Sequence, residues 1–307
     1  MSMSHIYSGN PLDRSHRERH DEQTVAAIVN DPGSMFLPLN DLSVPVAEPP
    51  QGGLGWMSFD QWRRLGGDYQ PIFLGRMNGA ACFAVDVSQQ AEALKHWSES
   101  GKCRFIDARS AVEFLSGPEC GIVAQARSHV DWHNRNGFCS RCGHRTTIKR
   151  GGQIRSCPNC GTEHYPRTDP VVIVLVSDGD SCLLAQPRGN LARAGRFSAI
   201  AGFVDQAESI EEAVAREVME EAGISVTNVR YHSSQPWPFP SSLMIGCHAE
   251  AATTDISMDE EEMAAVRWFQ RDQVLLALEG KNATLALPGP MAIAYHLIRA
   301  WAAGEVA

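Results

Sequence analysis

Three glutamates lie close together on one predicted helix. Glu217, Glu220 and Glu221 stand at positions i, i+3 and i+4. This spacing places their carboxylates in one patch, about one turn long, on one face of a helix. Without a counter-charge this arrangement is repulsive, and hard divalent cations such as Mg²⁺ and Mn²⁺ bind through carboxylate oxygens. The cluster therefore indicates a divalent-metal site, while a solvated acidic helix face is the alternative interpretation of the same residues.

The helix itself is predicted from apolar residues at helical spacing, which give it one face that can pack on a sheet. Gly223 follows the last of them and is the kind of residue that ends a helix, because glycine tolerates a left-handed backbone. The apolar positions are Ile210, Ala213, Val214, Val218 and Ala222.

Four of the nine cysteines form two CxxC pairs, Cys139 with Cys142 and Cys157 with Cys160. Each short loop can bring two thiolates to one metal ion, and four thiolates suit tetrahedral zinc. Because four protein ligands leave no open position, one structural Zn²⁺ is expected rather than a catalytic one. Disulfides or unrelated thiols are the alternative.

The segment between the cysteine pairs is basic and contains no Asp or Glu from residue 139 to 160. Such a ribbon could contact a phosphate backbone, although a run of this kind is more often only a solvated face. Its cations are Arg141, Arg145, Lys149, Arg150 and Arg155.

Composition limits the classes of function. The 307 residues carry 27 Lys+Arg against 36 Asp+Glu, a net charge of −9, so any contact with nucleic acid must be local. No run approaches the roughly 18 apolar residues of a membrane span, and the polar N-terminus lacks a secretory signal. We expect a soluble, cytoplasmic protein with no membrane partner.

Turn signals and apolar runs divide the chain. Asn78-Gly79 predicts a hairpin between two strands, and "PVVIVLVSDGDSCLLAQP" predicts two buried strands joined at Asp178-Gly179. We expect a mobile leader at 1–30, an N-terminal α+β domain at 31–137 that serves as scaffold or dimerisation domain, a zinc ribbon at 138–166, and an α/β domain at 167–307.

The charged helix carries a complete motif. Gly202 is followed at fixed intervals by Glu208, "REV" from Arg216, Glu220-Glu221 and "GI" from Gly223, which matches every fixed position of the Nudix box GX5EX7REUXEEXGU. The chain thus resembles the Nudix hydrolases. The resemblance implies a Nudix α/β/α sandwich, Glu217, Glu220 and Glu221 as metal ligands and catalytic residues with two or three Mg²⁺ or Mn²⁺ ions, Glu220 or Glu221 as the base, and Gly202, Glu208, Arg216 and Gly223 as structural residues of the box.

A second motif, "SQPWPFPSS" at 234–242, follows the box, as in the NADH pyrophosphatase subfamily of Nudix hydrolases, and the ribbon and the linker "YPRTDP" fit that subfamily too. The resemblance implies hydrolysis of NADH and NAD⁺ to nicotinamide mononucleotide and AMP, removal of NAD caps from RNA, a homodimer, and Glu262 as a further metal ligand. Substrate-binding residues would be Phe203, Gln235, Trp237, Phe239, Ser241 and Ser242.

Two alternatives stay open at this point. The chain could be a broader nucleoside-diphosphate or ADP-ribose hydrolase in which SQPWPFP is only structural, with Trp237 and Phe239 packed in a core. It could also be a non-catalytic RNA-binding protein with a degenerate Nudix fold, although the intact glutamates Glu217, Glu220 and Glu221 argue against that.

Overall fold

In the computed structural model, residues 5–49, 52–66 and 70–306 are described, and they divide into two units. The N-terminal unit comprises residues 6–167 and 237–241. The C-terminal unit comprises residues 168–236 and 242–306 together with His5. None of the helices in the described ranges has the length and hydropathy of a membrane span.

The first thirty residues differ from the predicted mobile leader. Residues 1–4 lie outside the described ranges, but Tyr7 and Leu12 are buried, with 2% and 5% of their surface exposed. The Tyr7 hydroxyl donates to the Ala108 carbonyl at 3.0 Å, and two helices follow. The prediction was wrong because the few apolar residues here have no periodicity and are ordered by contacts with distant parts of the chain.

The rest of the N-terminal unit is mixed α and β structure, in agreement with the predicted α+β class. Asn78 and Gly79 adopt φ of 51° and 87° and join two strands, as expected for this hairpin turn. The elements in chain order are α1 His16–Arg19, α2 Glu22–Val29, β1 Met35–Leu39, β2 Val44–Ala47, β3 Met57–Ser58, α3 Phe59–Leu65, β4 Ile72–Met77, β5 Ala80–Asp86, α4 Ala91–Gly101, β6 Cys103–Ile106, α5 Ala108–Ala111 and α6 Gly117–Arg135.

The main sheet of this unit has the order β3-β1-β5-β4, and β2 pairs separately with β6. Side chains of β5 alternate between two cores: Cys82 and Ala84 face the core that includes α6, and Phe83 and Val85 face the core that includes α4. Alternation of this kind is the period-2 geometry of a strand buried on both faces. The zinc ribbon adds a small sheet of β7 Thr147–Lys149, β8 Ile154–Ser156 and β9 Glu163–His164.

The C-terminal unit is built on a six-stranded mixed sheet in the order β13-β14-β10-β11-β15, with β12 also paired to β10. β10 and β11 form the predicted hairpin, and β10 runs parallel to β14 over nine residue pairs from Asp169 to Ser177. Its elements are β10 Asp169–Asp178, β11 Ser181–Pro187, α7 Asn190–Arg193, β12 Ile200–Phe203, α8 Ile210–Ala222, β13 Val226–Trp237, β14 Ser242–Ala251, β15 Met263–Gln270, α9 Arg271–Leu278 and α10 Ile293–Ala302.

Successive side chains of β10 point alternately to the two faces of this sheet. Val172 and Val174 belong to the core that includes Val218 of α8. Ile173 and Leu175 belong to the opposite core, which contains residues of α9 and α10. A sheet with helices on both faces is the α/β/α sandwich expected from the Nudix resemblance, and it presents α8 as a rigid platform for the glutamates.

Candidate active site and zinc centre

Both ends of α8 are fixed. At the N-terminus, Ser209 and Glu212 form a capping box, in which each backbone N–H donates to the other side chain at 2.7 and 3.2 Å. At the C-terminus, Gly223 has a φ of 70°, and a Cβ there would lie 2.6 Å from the Cβ of Ser257. Position 223 therefore needs glycine for both its backbone and its surroundings.

Arg216 joins α8 to the loop before it. Its Nε and Nη2 donate to the two carboxylate oxygens of Glu208 at 2.6 and 2.9 Å, and Nη2 also donates to the Phe203 carbonyl at 2.8 Å. Nη1 donates to Glu217 Oε1 at 2.7 Å and Glu220 Oε2 at 3.0 Å. These charge-assisted bonds lower the pKa of Glu208 to about 2. One guanidinium thus braces the loop and partly neutralises two predicted metal ligands.

Gly202 leaves room for Glu217. It lies in β12 opposite Val172 of β10, and a Cβ there would come within 1.9 Å of the Glu217 carboxyl carbon. No side chain can be accommodated at that distance, so any substitution must displace the Glu217 carboxylate. The steric contact explains why the box needs glycine at this position.

Glu221 is the most perturbed carboxyl of the cluster. Only 5% of its surface is exposed, and its Oε2 has no hydrogen-bond partner among the described residues. Burial, followed by the charges of Glu217, Glu262 and Glu220, raises its pKa to about 8. Burial also raises the pKa of Glu217, against the opposing effect of Arg216. An orphaned carboxylate oxygen beside like charges fits a divalent cation with oxygen ligands.

Glu262 lies next to this cluster, in the turn before β15, and its charge contributes to the raised pKa of both Glu217 and Glu221. The turn is held by Arg188, whose backbone N–H donates to the Glu262 carbonyl and whose Nε donates to the Glu260 carbonyl, both at 2.9 Å. Sequence reasoning missed Arg188, because bonds to backbone carbonyls leave no motif.

The predicted substrate-binding residues of the C-terminal unit occupy different environments. The Phe203 ring is 60% exposed, so its face is open to a ligand. Gln235 is fully buried, and its amide donates to the Met291 carbonyl and accepts from the Ile293 backbone N–H, both at 2.8 Å. Gln235 thereby fixes the segment before α10, a structural role. Ser242 begins β14.

Trp237, Phe239 and Ser241 belong to the N-terminal unit. The two aromatic rings are 5.3 Å apart and meet the Tyr7 ring edge-on. The guanidinium carbons of Arg109 and Arg127 lie 3.8 and 4.6 Å from the Phe239 ring centroid, a cation–π arrangement. Neither arginine could be found from sequence, since both lie more than a hundred residues before the motif. The contacts give Phe239 a packing role in this structure.

The four cysteines converge on one point. Their sulfurs all lie within 4.8 Å of one another, and three of the separations are 3.4–3.6 Å. Tetrahedral zinc at about 2.3 Å from each sulfur requires sulfurs roughly 3.8 Å apart, so the set fits the ion. Gly143 and Gly161 adopt φ of 74° and 72°, and each donates its backbone N–H to the carbonyl of the first cysteine of its pair at 2.9 Å. The two knuckles are built alike.

The basic residues of the ribbon do not form one free surface. Arg155 is only 9% exposed and donates to the side-chain and backbone oxygens of Thr146. Arg150 pairs with Glu163 at 3.4 Å, and Lys149 pairs with Glu22 at 3.9 Å. Lys149 and Arg150 have acidic partners from outside the segment, and Arg155 is buried against Thr146. Contact of the ribbon with a phosphate backbone stays a prediction.

Three family models match consecutive parts of the chain. A NADH pyrophosphatase-like rudimentary NUDIX domain matches residues 33–132, a NADH pyrophosphatase zinc ribbon domain matches 134–165, and a NUDIX domain matches 166–287. The NAD-capped RNA hydrolase NUDT12 of Macaca fascicularis is 36% identical over 345 residues, which cover 96% of this chain and 72% of that protein. The chain belongs to the NADH pyrophosphatase group of Nudix hydrolases. The family prediction made from the box and from SQPWPFPSS is confirmed.

Two further relatives of this Nudix hydrolase show the same relationship. The NAD-capped RNA hydrolase NudC of Mycobacterium bovis (strain BCG) is 38% identical, with 77% of this chain and 76% of that protein covered. The mitochondrial NAD(P)H pyrophosphatase NUDT13 of Mus musculus is 43% identical, with 64% and 59% covered. The chain thus spans most of the first of these proteins and less than two thirds of the second.

Proposed function

We propose that this Nudix hydrolase splits the diphosphate bond of NADH and NAD⁺ to give nicotinamide mononucleotide and AMP, and removes NAD caps from RNA 5′ ends. The observation that carries the proposal is the carboxylate cluster of Glu217, Glu220, Glu221 and Glu262 with its buried, unpartnered Glu221 oxygen. The names of the relatives above support the choice of substrate.

The same four glutamates would hold two or three Mg²⁺ or Mn²⁺ ions. Their donor atoms are carboxylate oxygens, the ligands that these cations prefer. Bound there, the cations would supply charge neutralisation for a diphosphate and would lower the pKa of a coordinated water. Arg216 keeps Glu217 and Glu220 oriented through its Nη1.

The reaction itself forms a bond between a water oxygen and one phosphorus and breaks the bond from that phosphorus to the bridging oxygen. The bridging oxygen leaves on the other mononucleotide. A carboxylate of Glu220 or Glu221 would accept the proton released by the water. Phe203, exposed directly after the box glycine, would offer its ring face to a flat base.

A competition experiment tests the substrate. An equimolar mixture of NADH, NAD⁺ and ADP-ribose is treated with the protein and Mn²⁺ or Mg²⁺, the products are separated over time, and NAD-capped RNA is assayed in parallel. We expect NADH to disappear first. Glu220→Gln should lower the rate by orders of magnitude, whereas the matched control Glu211→Gln, an exposed glutamate of the same helix, should not. Equal rates in both variants would remove the box glutamates from the mechanism.

A broader ADP-ribose or nucleoside-diphosphate hydrolase is the second candidate. It is favoured by the burial of Gln235 and the packing of Phe239 against two arginines, since both residues of the SQPWPFP motif then serve structure. In the competition, hydrolysis of ADP-ribose as fast as NADH would support this candidate and leave the chemistry of the box unchanged.

We further propose that the enzyme is a homodimer, as the family resemblance implies, and that it is cytoplasmic, as the composition of the sequence suggests. Light scattering on the purified chain measures its mass against the 33.6 kDa of one copy. A particle of twice that mass is expected, and a monomer at micromolar concentration would contradict the proposal.

A further inference from the structure

A cavity of about 450 Å³ lies within the N-terminal unit, between the start of the chain, α6 and the zinc ribbon. Its volume is in the range of small-molecule sites, about 300–1,000 Å³. Among the described residues that line it there are three arginines and three histidines but no carboxylate. These six residues are Arg14, Arg19, Arg150, His16, His20 and His129.

Arg19 is a buried cation in the wall of this cavity. Only 4% of its surface is exposed, and its guanidinium donates to the carbonyls of Arg14 and Phe73 and lies 4.6 Å from the Phe73 ring centroid. No carboxylate of the described residues lies within salt-bridge distance. A buried charge without a counter-ion is costly, and the cost would be offset by an anion in the cavity.

The other lining groups extend this positive site. The Arg14 side chain has no ion-pair partner among the described residues. The Nδ1 atom of His129 is buried and has no hydrogen-bond partner there. Burial, His133, Arg19 and Arg14 lower the pKa of His129 to about 3, so the ring is neutral at physiological pH and can offer a hydrogen bond without adding charge.

Two of the acidic residues nearby, Glu163 and Glu18, are already engaged. Glu163 accepts from Arg150 Nη2 at 3.4 Å and from the Tyr165 hydroxyl at 2.5 Å, and Glu18 pairs with Arg76 at 2.9 Å outside the cavity. The charge of Arg150 is therefore partly compensated by Glu163, whereas Arg14 and Arg19 form no ion pair with a described carboxylate. The uncompensated charge is concentrated at these two arginines.

We propose that this cavity is a binding site for a phosphate group, carried either by a free mononucleotide or by an RNA backbone. Arginine is suited to this role because its planar N–H groups match phosphate oxygens. The site lies within one unit and uses none of the box glutamates, so the inference does not depend on the proposed catalytic activity.

Binding is measured on the full, zinc-loaded chain without added Mg²⁺ or Mn²⁺, by calorimetry with AMP and by fluorescence anisotropy with a 5′-phosphorylated oligoribonucleotide. Arg14→Gln is compared with Arg17→Gln, which removes the same charge from an exposed residue a few positions away that does not line the cavity. His129→Gln is a second test variant, and thermal unfolding of all three variants checks that the fold is kept.

We expect Arg14→Gln to weaken binding about tenfold, the effect of losing one charge-assisted hydrogen bond, and Arg17→Gln to change it about twofold or less. A loss confined to AMP identifies a free nucleotide as the ligand, and a loss confined to the oligoribonucleotide identifies an RNA backbone. For RNA, Arg14→Gln should also reduce the salt dependence of binding by about one phosphate contact. Equal effects of the two arginine variants on both ligands, or no binding by the unsubstituted chain, would overturn the proposal.

Discussion

Replacing Glu221 by Gln should stabilise the metal-free protein at alkaline pH. Glu221 is buried, and its pKa is raised from 4.5 to about 8, mainly by burial and then by three neighbouring carboxylates. Each tenfold change in an acidity constant corresponds to about 1.4 kcal/mol. Ionising Glu221 in the folded, metal-free protein therefore costs roughly 5 kcal/mol relative to the unfolded chain.

The change of stability with pH depends on whether the folded or the unfolded state binds more protons. Between pH 4.5 and about 8 the folded state holds a proton on Glu221 that the unfolded chain has released. Stability should therefore fall as the pH rises through this window and should be lowest above pH 8. Glutamine cannot ionise, so this part of the pH dependence should disappear in Glu221→Gln, and at pH 8.5 the variant should melt on the order of 10 °C higher.

The assay is thermal unfolding at pH 5.5, 7 and 8.5, in buffer freed of Mg²⁺ and Mn²⁺ by a chelating resin, with zinc content checked. Glu211→Gln, an exposed glutamate of the same helix, is the control. Added Mn²⁺ should raise the melting temperature of the unsubstituted protein most at pH 8.5, where Glu221 is ionised, and should do little for Glu221→Gln. Parallel pH profiles for the unsubstituted protein and Glu221→Gln would refute the reasoning.

Four further variants test separate parts of the structure. Gly202→Ala, whose Cβ would lie 1.9 Å from the Glu217 carboxyl carbon, should lower NADH turnover by about a hundredfold or more and leave the circular dichroism spectrum intact. Cys157→Ser should lose zinc, measured by elemental analysis, and melt at a lower temperature. Phe239→Ala should cost about 3 kcal/mol in urea unfolding, because the half-buried ring loses its aromatic and guanidinium contacts. His5 is buried with its pKa lowered from 6.5 to about 4, so stability should fall as the pH drops through that window, and less steeply in His5→Asn.

The Nudix unit could be predicted well because its signals are local. The apolar spacing of α8, the glycine that ends it and the box lie within twenty-three consecutive residues, and each feature agrees with the others. The continuous apolar run of β10 likewise predicted a buried strand, which the two cores on either side of Val172 and Ile173 confirm.

The N-terminal segment and the SQPWPFP motif could not be predicted in the same way, because their environments come from distant parts of the chain. Tyr7 is ordered by a bond to Ala108, and Phe239 is flanked by Arg109 and Arg127. Proline spacing and aromatic residues indicate a rigid segment, but they do not distinguish a ligand wall from a packing surface. To make that distinction one must know which residues contact the aromatic rings, and Arg109 and Arg127 are distant from the motif in sequence.

When no divalent cation is bound, a guanidinium and a proton would offset the repulsion between the active-site carboxylates. Arg216 donates to Glu217 and Glu220 through one nitrogen, and a proton neutralises Glu221 below about pH 8. Without both, carboxylates this close would repel one another. A bound cation makes the proton unnecessary, so metal binding should release a proton from Glu221 near neutral pH. The affinity for Mg²⁺ or Mn²⁺ should therefore rise with pH up to about 8, although the same rise in pH destabilises the metal-free fold.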